Sequence, residues 1–294
     1  MKTVIAARED FFPPDGCPVT LRTIRGDAPC QHSGDLTDVR HTHDFAELIV
    51  IAGGAGSHWI DGEIYPVTAG DVFLIQDNTE HCFTERRNIE MYNIMFDELY
   101  LREHLRSLRG LAGFNAFFLF EPAYRKRHRF QSILHMSDEG MAPLKKSLHA
   151  MIAELAANRP GCDLVLLAKV LEIFVMISRE YSRGGNPMTE SLCNLGEVIS
   201  RLEREYAQPW TLRRISKIAA MAPSTLLPMF RRATGCSPIE YLLRVRLARA
   251  AERLLKTDDT VSEIAEACGF PDSNYFSRQF RKHYNASPRA WRNG

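Results

Sequence analysis

The chain has 294 residues, of which 45% are hydrophobic and 25% charged, with 18 Gly and 15 Pro. That balance excludes a disordered chain, a collagen-like repeat and a disulfide-dense miniprotein, and the length predicts about two domains. Its 37 basic and 36 acidic residues leave a net charge of +1, which taken whole argues against a nucleic-acid binder or a polybasic membrane partner. No apolar run is long enough for a membrane span, because 164–177 is interrupted by Lys169 and Glu172. The N-terminus has no apolar core of a secretory signal. Seven cysteines (17, 30, 82, 162, 193, 236 and 268) form no CxxC pair, and read as reduced packing thiols of a cytoplasmic protein.

In chain order, 45–52, 57–60, 71–76 and 88–96 read as short strands. Asp61-Gly62 between two of them predicts a two-residue hairpin turn, which needs positive φ at both positions. Strands at this spacing suggest a barrel or sandwich covering about 20–97. Arg102, Arg106 and Arg109 recur at near-helical spacing and read as a solvated helix face; residues 114–120 are aromatic-rich and read as core. From 142 the period is helical, with Leu144, Leu148, Met151, Ile152 and Leu155 on one face and Arg159-Pro160-Gly161 as the stop. A second helix over 162–181 is apolar nearly all round, so it is buried in the domain or against another subunit.

Arg183-Gly184-Gly185-Asn186-Pro187 is the clearest linker. It divides the chain into 1–183, a connector at 184–189, and 190–294. After it come helices with explicit starts: Ser237-Pro238-Ile239-Glu240, Thr260-Val261-Ser262-Glu263 and Ser287-Pro288. The helix from Pro238 to about Lys256 spans roughly 27 Å at 1.5 Å per residue.

This C-terminal segment contains a duplication. Leu212, Ile215 and Met221 match Val261, Ile264 and Phe270 at an offset of 49. Past the turn the offset is 50: Phe230-Arg231-Arg232 matches Phe280-Arg281-Lys282, Ser237-Pro238 matches Ser287-Pro288, and Tyr241 matches Trp291. Each copy is a helix, a tight turn at Ala220 or Gly269, and a second helix, which is a helix-turn-helix given twice. The apolar positions are core, but the second helix of copy two presents Ser273, Asn274, Ser277, Arg278 and Arg281. These are short polar groups and arginines suited to base edges and phosphates. Charge agrees once divided: 190–294 holds 17 basic and 11 acidic residues, a net of +6, which leaves −5 for the rest.

The segment, above all residues 264–270 and 272–281, resembles the DNA-binding domain of the AraC/XylS transcription activators. That resemblance implies two recognition helices in successive major-groove segments, held about one turn (~34 Å) apart by the helix from Pro238. It also implies double-stranded operator or promoter DNA, RNA polymerase and a second copy of the chain as partners; the helices 142–158 and 162–181 read as the dimer contact, because the second is too apolar to face water. Copy one departs from the pattern, since Pro228 lies inside its recognition helix. With Ser224 and Thr225 as its polar reading positions, most base readout is expected from copy two, while Arg231 and Arg232 hold phosphates.

In the first domain His41-Thr42-His43-Asp44-Phe45-Ala46-Glu47 puts His41 and His43 on one face of an extended segment, and His81 follows a later strand and turn. Three imidazoles and a carboxylate suit Fe, Mn, Ni or Zn, and equally hydrogen-bond sugars or each other. The spacing resembles the two motifs of the cupin barrel, with Gln76 and Asn78 replacing a proline and a glycine. The fold implied is α+β and multidomain: a cupin-like β-barrel with flanking helices, then an all-α domain with two helix-turn-helix motifs. Asp10-Phe11-Phe12, residues 41–48, Gly113-Phe114-Asn115 and residues 272–277 resemble the L-rhamnose operon activators of that family. This implies a small sugar such as L-rhamnose bound among His41, His43, Glu47, His58, Trp59 and His81, with Trp59 either stacking on the sugar or serving as barrel core.

The expected function is a sugar-responsive, sequence-specific DNA-binding regulator of a carbohydrate-utilisation operon, most simply an activator and not an enzyme, needing no cofactor. The alternative is a metal-dependent cupin enzyme of the isomerase or dioxygenase type with a DNA-binding tail, resting on the intact set His41, His43, Glu47 and His81.

Overall fold

A computed structural model describes residues 4–12, 18–27, 37–76, 78–128 and 134–293, apart from the side chains of 8, 102 and 126–128. Cys17, Cys30 and the side chain of Arg102 lie outside the described residues. The other five cysteines are free thiols, four of them buried.

Eight strands form one folded-over sheet: β1 (Val4–Ile5), β2 (Val19–Arg25), β3 (His41–Thr42), β4 (Ala46–Ile60), β5 (Glu63–Thr68), β6 (Asp71–Ile75), β7 (His81–Phe96) and β8 (Leu134–His135). Their order is β1-β3-β7-β4-β6-β8, with β2 also on β7 and β5 also on β4. The two runs read as separate strands at 45–52 and 57–60 are one 15-residue strand, and β7 begins at His81, seven residues earlier than the pattern at 88–96 suggested. β4 and β7 pair antiparallel from Ala46↔Phe96 to Ile60↔His81, with register shifts around Gly53 and His58. The bends at those bulges interrupt strict alternation, which is why the sequence reads as shorter pieces. Asp61 (φ 47°) and Gly62 (φ 96°) make the expected turn between β4 and β5.

Alternation sorts the strands into two faces. Ile49, Ile51, Phe73, Ile75, Phe83 and Met91 fill the lumen, whereas Leu48, Val50, Leu74, Tyr92, Ile94 and Phe96 join the helices outside. Asp97 caps α1 (Glu98–Leu108) by accepting from the Leu99 amide at 2.8 Å. Next come α2 (Ala112–Asn115), continued as a wider π-type turn over Ala116–Phe120, and α3 (Glu121–His128). The helix expected from 142 starts earlier, as α4 (Asp138–Ala157), because Ser137 caps it ahead of Pro143. α5 (Cys162–Tyr181) matches its expected bounds. Leu166, Val170, Ile173, Phe174 and Ile177 of α5 are fully buried within the chain, and Phe174 meets Phe96 with ring centres 5.0 Å apart. Each such side chain contributes roughly 1.5–3 kcal/mol. Most of the apolar surface expected to need another subunit is therefore covered internally, and only Leu164 (66% exposed) and Val165 (40%) stay open.

The second half of the expected connector, 187–189, is already helix. Asn186 accepts from the Thr189 amide at 2.8 Å and Pro187 opens α6 (Pro187–Arg204). α6 lies so close to α2 that a Cβ at Gly196 would sit 2.1 Å from the Ala112 carbonyl oxygen. Asn115 Nδ2 donates across that contact to the Gly196 carbonyl (3.2 Å) and Ser200 Oγ (3.1 Å). The duplicated motifs follow: α7 (Leu212–Ala219) and α8 (Pro223–Thr234), the joining helix α9 (Pro238–Lys256), then α10 (Val261–Ala267), α11 (Ser273–Tyr284) and α12 (Pro288–Arg292). All three expected starts are present, with reciprocal capping boxes at Ser237/Glu240 and Thr260/Glu263. Ala220 (φ 52°) and Gly269 (φ 78°) make the two turns.

The hydrophobic core divides elsewhere than at the connector. One continuous core runs from the sheet through α5 and α6 to Phe230 of α8 and Val245 of α9. A second begins at Leu247 and holds α10 and α11. Two arginines read as a solvated face also join the halves: Arg106 Nη1 pairs with Glu252 at 2.8 Å, and Arg109 Nη1 donates to the Tyr241 hydroxyl at 2.9 Å. Tyr241 in turn donates to Glu203 at 2.8 Å. Among the described residues no helix is long and apolar enough to cross a membrane.

Candidate functional site

Register brings the histidine constellation together. β3 lies beside β7 with His41 opposite His81, and Glu47, one residue into β4, points into the lumen. Each of the three imidazoles is anchored by a carbonyl two residues away: His41 Nδ1 to Val39 at 2.8 Å, His43 Nδ1 to Phe45 at 2.7 Å and His81 Nδ1 to Thr79 at 3.0 Å. A carbonyl only accepts, so Nδ1 carries the proton and Nε2 is left for the centre of the site. His43 Nε2 and His81 Nε2 lie 3.2 and 3.1 Å from the same oxygen, Glu47 Oε2. Asn93 Nδ2 donates to the other, Oε1, at 2.6 Å. A nitrogen lone pair and a carboxylate oxygen do not bond to each other, so these contacts call for extra protons on the rings or a cation between them. The four ligand atoms of His41, His43, Glu47 and His81 lie within 4.8 Å of one another, all four residues buried. Three imidazoles and one carboxylate, each imidazole oriented by a carbonyl, fit a divalent metal.

Electrostatics keep this cluster in a mixed state. Burial, aided by His81, pushes His41 down to about 4, so its ring is neutral. Burial works to raise the Glu47 carboxyl, but hydrogen bonds from His43 and His81 hold it well below the usual carboxylate range. The adjoining cavity of about 40 Å³ is walled by Phe11, Arg22, Thr37, His41, Glu47 and Asn93, among others, room for two or three waters. Phe11 is held there by Arg22, whose guanidinium stacks 4.2 Å from its ring centre.

The structure separates the six expected effector residues. His41, Glu47 and His81 line the cavity, and His43 stands beside Glu47. His58 is deeper in the lumen, stacked 4.5 Å from Phe83 and edge-on 5.5 Å from His81. Trp59 is a correction. As the neighbour of His58 on a pleated strand it faces out of the barrel, where Arg40 covers its ring at 4.0 Å. It is neither sugar platform nor lumen core. Asn93 was missed, although alternation along β7 places it with Met91 and Met95, and it is the only polar member of that set.

The second site is the outer surface of the helix pairs. Phe276 and Phe280 bury one side of α11 completely, which turns Asn274, Arg278 and Arg281 outward and leaves Ser273 and Ser277 half-buried at its edge. None of these five side chains makes a hydrogen bond or ion pair within the described chain, so their donors are available to a polyanion. In copy one Ser224, Thr225, Arg231 and Arg232 are exposed on α8, which carries Pro228 inside it. Arg231 has one distant carboxylate, Glu240, at 4.0 Å.

Residues 31–174 match the AraC-like ligand binding domain and residues 215–294 a helix-turn-helix domain. The HTH-type transcriptional activator RhaS of Pectobacterium carotovorum subsp. carotovorum (strain PC1) is 30% identical over 253 residues, 86% of each chain. RhaS of Salmonella schwarzengrund is 27% identical over 285 residues, 97% of this chain and 95% of the relative, and the activator RhaR of Escherichia coli (strain UTI89 / UPEC) is 28% identical over 253. Among solved structures, the DNA-binding domain of AdpA in complex with a target DNA covers 34% of this chain at 28% identity and a TM-score of 0.33. A ligand-binding barrel joined to paired DNA-reading helices defines a DNA-binding transcriptional activator. The chain belongs to the AraC family of such activators, together with RhaS and RhaR. With relatives that are activators, the metal-dependent enzyme alternative falls away.

Proposed function

We propose that the chain activates a carbohydrate-utilisation operon in response to a small sugar, L-rhamnose being the first choice, bound in the lumen beside His41, His43, Glu47 and His81. The observation that carries this reading is the polar cluster at one end of the lumen, where Glu47 and Asn93 offer a carboxylate and an amide beside three imidazoles. Sugar hydroxyls both donate and accept, and so complement that set. On this reading residues 1–183 bind the effector, 184–189 connect, and 190–294 bind operator DNA in the cytoplasm. Ser273, Asn274, Ser277, Arg278 and Arg281 face bases and phosphates, with Ser224, Thr225, Arg231 and Arg232 contributing from copy one. The active species is a homodimer that contacts RNA polymerase, with the open Leu164 and Val165 of α5 as part of the dimer contact. The sugar acts by its differential affinity for two arrangements of the helix pairs.

The test uses the full chain and a duplex selected from random sequence with it. L-rhamnose is expected to raise the affinity for that duplex and the melting temperature of the protein. Affinity independent of sugar, with no thermal shift, overturns the assignment.

A second reading concerns the metal. The three Nδ1-anchored imidazoles around Glu47 favour a divalent cation, Zn, Fe, Mn or Ni, held by His41, His43, Glu47 and His81. It would act as a Lewis-acid anchor for sugar hydroxyls. Metal analysis of the purified chain, expected to be near stoichiometric and lost in His43→Ala, checks this; a metal-free protein that still responds to sugar refutes it.

A further inference from the structure

The effector reading above leaves unused one histidine deeper in the lumen and two buried charged side chains on α3. Both ring nitrogens of His58, both carboxylate oxygens of Glu121 and Nη1 of Arg125 are buried without a hydrogen-bond partner. His58 and Glu121 are 0% exposed and Arg125 8%. Glu121 and Arg125 sit one turn apart on α3, yet Arg125 Nε stays 3.6 Å from Glu121 Oε1, outside hydrogen-bonding distance. Arg125 is instead tied by Nη2 to the Leu74 carbonyl of β6. His58 pairs across β4 and β5 with Tyr65 and lies 5.0 Å from the Phe73 ring, and Arg125 holds the carbonyl of the next residue, Leu74, so His58 and Arg125 bear on adjacent residues of β6. Interiors rarely leave such groups without hydrogen bonds, and the 3.6 Å ion pair with Arg125 still leaves both Glu121 oxygens without one. Two carboxylate acceptors, a guanidinium donor and an amphoteric imidazole together complement vicinal hydroxyls.

The π-type turn that runs straight into α3 touches the DNA-binding half. Phe120, immediately before Glu121, packs against Phe230 of α8 with ring centres 5.9 Å apart. A group that moves α3 therefore moves a side chain in the core of the first helix-turn-helix.

We propose that His58, Glu121 and Arg125 form a second polar subsite of the effector pocket, which receives hydroxyl groups of the sugar and whose filling is read by the first helix-turn-helix through Phe120 and Phe230. The subsite rests on the sugar reading and adds the residues that couple it to DNA.

The experiment titrates the full chain calorimetrically with L-rhamnose, L-arabinose and D-xylose, then with the monodeoxy derivatives of whichever binds. Glu121→Gln keeps the shape of the side chain and removes its charge, and its melting temperature without sugar checks that it folds. It is expected to bind the sugar at least about tenfold more weakly, and one monodeoxy derivative is expected to bind wild type and Glu121→Gln equally. Arg125→Lys is expected to lose affinity for a sugar carrying that hydroxyl in the same way. At saturating sugar, Glu121→Gln should lose the sugar-induced gain in affinity for the selected duplex. Unchanged sugar affinity in both variants overturns the subsite while the sugar reading stands, and so does an equal loss against every deoxy derivative. No binding of any of the three sugars by wild type removes the sugar reading and the subsite with it.

Discussion

Phe230 and Phe280 hold the same place in the two copies of the repeat, and both are fully buried, but their surroundings differ. Phe230 belongs to the core that runs back through α6 to the sheet, whereas Phe280 belongs to the smaller core of its own motif. The partner positions Tyr241 and Trp291 differ in the same sense. Tyr241 lies edge-on 5.8 Å from Phe230 and uses its hydroxyl to join Arg109, at the C-terminal end of α1, to Glu203 of α6. Trp291 lies edge-on to Phe280 and tilted against Tyr284, with its indole nitrogen unpartnered. The readout faces diverge in the opposite direction, with Pro228 in copy one and Asn274 and Arg278 in copy two. The duplicated motif is thus packed asymmetrically: copy one is built into the core of the first domain, and copy two has a core of its own.

The sharpest way to break this comparison is to empty the two cores in turn. Phe230→Ala and Phe280→Ala should each cost roughly 3–5 kcal/mol locally. Phe230→Ala should lower the melting of sensor and copy one together, and Phe280→Ala should release only α10–α12 in an early separate transition. Hydrogen exchange on both variants checks this, and a single shared transition in Phe280→Ala contradicts two cores.

Next in size is the pH response of the helix on which copy one rests. Burial pushes the Glu121 carboxyl up to about 7, with Arg125 opposing. A carboxyl raised above its unfolded value of 4.5 supports the fold fully below that value and loses the support as pH rises through about 7. Wild type should therefore lose on the order of 2–3 kcal/mol from this group between about pH 5 and 8, a loss absent in Glu121→Gln. Denaturant midpoints at the two pH values measure it.

Reading should be unequal between the copies. Arg278→Ala is expected to weaken specific binding by roughly 1–3 kcal/mol and relax one base position, while Thr225→Ala changes discrimination less than about threefold, under 1 kcal/mol. Equal losses in a binding-site selection would restore two equivalent readers. On stability, a smaller effect than those of the two phenylalanines is expected from Tyr241→Phe, about 1–2 kcal/mol from the lost hydroxyl bridge, seen as a lower melting temperature of the sensor-linked transition alone.

Much of this was legible locally. The caps at Ser237, Thr260 and Ser287, the hairpin at Asp61-Gly62 and the turns at Ala220 and Gly269 depend on neighbours within a few residues, and each stands where the pattern placed it. The HxH pair and Glu47 were legible as ligand types, because alternation puts them on one face. Trp59 was misjudged because bulges in β4 obscure which face a residue takes, and Arg106 and Arg109 because a helix face facing solvent and one facing another helix share a composition.

By itself the sequence determined the element types, the duplication, the acidic sensor and the basic reader, since these follow from periodicity, capping and summed charge. Only the tertiary structure decided that Asn93 joins the set His41, His43, Glu47 and His81, that α5 buries its apolar stripe internally, and that the core divides inside α9. Those outcomes rest on contacts between residues tens to more than a hundred positions apart, for which no local pattern carries a signal.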